Sequence, residues 1–84
     1  MPILSRFYGI IIRMYFRGVE HNPPHIHAIY GEDIASISII DFSIIAGDLP
    51  KKAHELVITW MKEHQNELME MWNTQIFKPI SPLE

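Results

Sequence analysis

The chain has 84 residues, 48% of them apolar, with no cysteine and a formal net charge of −3. That length holds a single domain (residues 1–84), the apolar share excludes disorder, and the missing thiols exclude disulfides and thiolate metal sites. The acidic balance argues against a general nucleic-acid coat protein. The charge is uneven, however: residues 1–31 set Arg6, Arg13 and Arg17 against Glu20 alone, while the remainder sets four lysines against nine acids.

A domain this small buries only about 60% of its unfolded surface, so a homo-oligomer or a bound partner is expected to supply further burial. The longest apolar stretch, Phe7 to Phe16, is interrupted by Arg13 and falls short of the roughly 20 residues that a membrane span needs. The first residues lack the basic start and long apolar run of a signal peptide. A cytoplasmic protein that does not enter a membrane is the expectation.

In chain order, Tyr8 to Arg17 reads as a first strand, with Ile12, Met14 and Phe16 on one side and Arg13, Tyr15 and Arg17 on the other. Gly18 to Pro24 is a loop that the Pro23-Pro24 pair stiffens. His25 to Tyr30 is a second strand, Gly31-Glu32-Asp33 a hairpin turn, and Ile34 to Ile40 a third strand. Asp41-Phe42-Ser43 reads as a turn before a short fourth strand at Ile44 to Ala46.

The period then changes to 3.6. Ala53, Leu56, Val57, Trp60, His64, Leu68, Met71 and Trp72 form one stripe of a helix over about residues 50–73, with Asp48 as its N-cap and Pro50 in its first turn. A short C-terminal tail follows. The fold class is therefore α+β: a small antiparallel sheet of three to four strands, in the order ββββα, packed on one long C-terminal helix. Ile12, Met14, Phe16, Ile26, Ala28, Tyr30, Ile37 and Ile39 should face that helix. Arg13, Tyr15, Arg17, His25, His27, Ser36 and Ser38 should occupy the opposite face.

The densest polar cluster lies at the start of the second strand. Two residues apart on a strand, His25 and His27 project from one face, which suits three roles. One is acid–base chemistry, because an imidazole titrates near neutrality. In that role Arg13 or Arg17 steadies a phosphate and Tyr15 donates a hydrogen bond, a set suited to an RNA phosphodiester whose 2′-hydroxyl is the nucleophile. A second is binding of a divalent transition metal such as zinc by His25, His27 and His21, with Glu20 also near. The third is structural, two histidines packed at an interface or solvated on an open face; here no cofactor is needed. Trp60 and Trp72 read as core, His64 as a half-buried hydrogen-bonded histidine, His54 as surface, and Lys51 and Lys52 as a solvated pair at the helix start.

The string Ser5-Arg6-Phe7-Tyr8-Gly9, then His21-Asn22-Pro23-Pro24-His25-Ile26-His27-Ala28-Ile29-Tyr30-Gly31, then Leu49-Pro50 opening a helix that carries Trp60, resembles the bacterial domain-of-unknown-function 4160 family over about residues 3 to 73. The resemblance implies a setting and no reaction. Genes of that family often adjoin one of the domain-of-unknown-function 2442 family, and the pair is proposed as a toxin–antitoxin-like module. The expectation drawn here is a toxin-like protein that acts on RNA through His25, His27, Arg13 and Tyr15, with the adjacent gene product as partner. The alternatives are a non-catalytic interaction module and a small metal-binding protein.

Overall fold

A computed structural model of the protein describes residues 3–15 and 23–84. Five antiparallel strands form one meander in sequence order: β1 Ile3–Phe7, β2 Ile10–Arg13, β3 His25–Tyr30, β4 Asp33–Ser38 and β5 Ile44–Gly47. One helix follows, α1 Lys51–Thr74. The α+β class and the strands-then-helix order are as expected; the strand count is higher by one.

The additional strand comes from a reversal at Tyr8-Gly9. Phe7 pairs with Ile10, so the connection is a two-residue hairpin turn, and both turn residues hold positive φ, 48° at Tyr8 and 79° at Gly9. That is the turn whose twist suits paired strands. Continuous apolar chemistry from Phe7 to Ile12 hides this turn in the sequence. Phe16 and Arg17, expected to extend the first strand, lie outside the described residues.

Alternation sorts the sheet's two faces. Ile10, Ile12, Met14, Ile26, Ala28, Ala35, Ile37 and Ile39 are all buried, together with Leu4 and Phe7 of β1. On this face the helix lays down Ala53, Val57, Trp60, Met61, Leu68, Met71 and Trp72. Trp60 is fully enclosed, its ring 5.6 Å from that of Phe7. Its indole N–H donates to the carbonyl of Ser81 at 2.8 Å, and the Ile80 N–H donates to the carbonyl of Leu4. The tail therefore returns over the helix to β1. Tyr30, assigned by alternation to the core, is 40% exposed: it ends its strand beside the turn, where the helix no longer covers it.

The helix departs from expectation at two points. Its N-cap is Pro50, with no side-chain cap; the carboxylate of Asp48 accepts from the N–H of Leu49 instead, one residue short of the helix. At His64 the backbone leaves helical geometry (φ −123°, ψ 17°). Neither proline nor glycine causes this break. It lies where the Gln65 amide donates to the carbonyls of Ile39 (2.8 Å) and Ile40 (3.2 Å), tying the helix to the turn that follows β4. His64 is half-buried as expected, with Nδ1 2.9 Å from Glu67. His54 is half-buried as well, not the surface residue expected, and its Nε2 is enclosed with no hydrogen-bond partner among the described residues.

Candidate functional site

The sheet face turned away from the helix core is ordered by strand register. Arg6, Ile11, Ile29 and Ile34 are successive cross-strand partners, forming one row. Arg13, His27, Ser36 and Ala46 form the next, and His25 pairs with Ser38 beyond it. Directly opposed residues in antiparallel strands share a face and stand close. Register thus sets Arg13 beside His27, a relation that alternation within one strand cannot supply.

The rings confirm the grouping. His25 and His27 have ring centroids 5.1 Å apart, and the ring of Tyr15 meets that of His27 edge-on at 4.4 Å. All four expected site residues, His25, His27, Arg13 and Tyr15, are half-buried rather than freely open. Part of that cover comes from the end of α1, whose Trp72 ring lies 5.2 Å from His25. Arg17 and His21, also named from the sequence, lie outside the described residues.

The two imidazoles occupy unlike environments. His25 directs Nδ1 at the carbonyl of Pro23, 2.9 Å away. When Nδ1–H donates there, the tautomer is set and Nε2 is left for a ligand or a proton. The Pro23-Pro24 pair thereby holds the acceptor that orients His25. Among the described residues His27 has no such anchor: its Nδ1 is enclosed without a hydrogen-bond partner, as is Nε of the neighbouring Arg13. Burial, seconded by the nearby His25, pushes the pKa of His27 below the ordinary 6.5. Burial therefore favours the neutral imidazole at His27, the form that accepts a proton.

A metal needs more ligands than this pair. Among the described residues no group of three or more His, Cys, Asp or Glu side chains is placed to hold one, and His21, named as the third ligand, lies outside them. Two nearby residues were not read as functional from the sequence. Arg6 stands on the same face as Arg13, exposed, but its strand was unrecognised. Trp72 was read as part of the buried stripe, which it is; its contact with His25 depends on where the helix ends.

A family model described as "Domain of unknown function (DUF4160)" matches residues 9–73. The chain therefore belongs to that family, as its motifs suggested. No curated protein and no solved structure matches it. No helix among the described residues is long and apolar enough to cross a membrane.

Proposed function

We propose that the protein is a toxin-like cytoplasmic component of a two-gene module that cleaves RNA by metal-independent acid–base chemistry on the β2–β3 face. The observation that carries this reading is the pairing of a desolvated, neutral-leaning His27 with an anchored His25 at 5.1 Å, with Arg13 cross-strand beside them. His27 Nε2 takes the proton of a ribose 2′-hydroxyl, and the 2′-oxygen attacks phosphorus. The 5′-oxygen departs with a proton donated by His25, leaving a 2′,3′-cyclic phosphate and a free 5′-hydroxyl. Arg13 neutralises the non-bridging oxygens and Tyr15 keeps His27 in place. Arg6 extends the positive charge along the face.

The test is cleavage of a single-stranded RNA in EDTA, beside the same sequence with 2′-deoxy residues. Cleavage of the RNA alone is expected, and His27→Ala should slow it by about 10²–10⁴-fold, the usual contribution of a general acid or base. No cleavage, or equal cleavage by the variant, would defeat the reading.

A second reading, a non-catalytic interaction module, is favoured by β5. Every residue of this outer strand is exposed, Ile44 and Ile45 included, and among the described residues none pairs with its outer edge. Such an edge accepts a strand from another chain, whether a second copy or the product of the adjacent domain-of-unknown-function 2442 gene. Under that reading Ile45→Lys abolishes the complex in light scattering, and His27→Ala leaves it intact.

A further inference from the structure

At the end of the sheet far from the histidine pair, on the helix side, lies a half-open cavity of about 460 Å³. Tyr8, Ile10, Tyr30, Pro50, Lys52, Ala53 and Leu56 line it. Its volume falls in the range of about 300–1,000 Å³ typical of small-molecule sites. The interior is apolar, and the mouth carries one cation and two phenols.

The residue at its rim is a poor choice for its backbone. Tyr8 is the first residue of a two-residue turn with positive φ at both positions, where Asn or Asp before Gly is favoured and a bulky side chain is strained. Its side chain does not repay that strain by burial, since Tyr8 is 59% exposed. A side chain that breaks a local rule without a packing gain marks a place where something other than stability is served. Tyr30 forms the second wall, its ring at ordinary contact distance, 3.4 Å, from where a β-carbon on Gly9 would stand.

The charge of the mouth is unmatched. Lys52 is exposed and makes no ion pair among the described residues, and the first turn of α1 contains no acidic residue. A lysine in this turn is disfavoured by the helix dipole, and Lys52 stands at the pocket without an acidic side chain in its own turn.

From these features we infer that the cavity binds a small amphipathic anion: an aromatic body against Ile10, Leu56 and Ala53, flanked by Tyr8 and Tyr30, with its carboxylate or sulfonate at Lys52. The histidine face takes no part.

The probe is 1-anilinonaphthalene-8-sulfonate, with uncharged N-phenyl-1-naphthylamine as its counterpart, each titrated into ¹⁵N-labelled protein. Saturable one-to-one binding of the sulfonate is expected, with the largest amide shifts at Tyr8, Tyr30, Lys52 and Ala53. Tyr8→Asn removes one wall while giving the turn its preferred residue. Affinity should fall about three- to tenfold, the worth of one aromatic contact, while Tm stays level or rises. Lys52→Gln, at an exposed position, should weaken the sulfonate by roughly tenfold and leave the neutral counterpart unchanged. Shifts spread elsewhere, undiminished binding by Tyr8→Asn, or a lower Tm in that variant would each overturn the assignment.

Discussion

Gly31 and Gly47 both hold a left-handed backbone, at φ of 60° and 75°, yet an added methyl group meets different surroundings at each. At Gly31 it finds nothing within 4 Å. At Gly47 it overlaps the carbonyl oxygen of Ile34 and comes within 3.2 Å of Cα of Ala35. Those are backbone atoms of the adjacent strand β4, which no side-chain rotation can move aside. Gly31→Ala should therefore carry only the conformational penalty of about 1–2 kcal/mol. Gly47→Ala adds the separation of β5 from β4 at the Ala35–Gly47 pair, including the bond from Asp48 N–H to the Ile34 carbonyl. Two such bonds at about 0.5–1.5 kcal/mol each bring its cost to about 2–5 kcal/mol. For a domain of this size each kcal/mol lowers Tm by about 4–8 °C, and the whole stability is only about 4–13 kcal/mol. Urea and thermal unfolding of the two variants, followed by circular dichroism, measure the difference directly. Equal losses at the two positions, within about 0.5 kcal/mol, would refute the claim that close approach to β4 is what requires glycine at position 47.

Three further outcomes follow from the same structure. His27 has its pKa lowered from 6.5 in the fold, so below that value the unfolded chain binds the proton first. The stability it permits is intact above about pH 6.5 and declines as pH falls toward the folded value; in urea midpoints between pH 7.5 and 5, His27→Gln should flatten that decline. Trp60→Phe keeps an aromatic ring in the core but removes the donor to Ser81, and a loss of about 1–3 kcal/mol is expected, with faster amide exchange at Ile80 whose N–H binds Leu4. Gln65→Ala strips the carbonyls of Ile39 and Ile40 of their donor and should cost about 1–2 kcal/mol, with NMR shifts concentrated at residues 39–40 and 64–65.

Periodicity made the helix and its buried stripe legible, because one face of α1 must be apolar to cover the sheet. Alternation did the same for β3 and β4, and it placed the two histidines on one face. The hairpin at Tyr8-Gly9 was not legible: tyrosine there carries strand chemistry, and only the backbone shows that the chain reverses. The helix start was legible to within a residue, but its cap was misread, because Asp48 is a good cap residue whose carboxylate accepts from the N–H of Leu49 instead. The break at His64 has no local signal, since it accompanies a contact between Gln65 and the turn after β4, about 25 residues earlier. The candidate site divides in the same way. Its residue types and their spacing along β3 are properties of the sequence. The placing of Arg13 beside His27, of Trp72 against His25, and the unequal burial of the two imidazoles depend on strand register and helix length, which are set by packing between segments far apart in the chain.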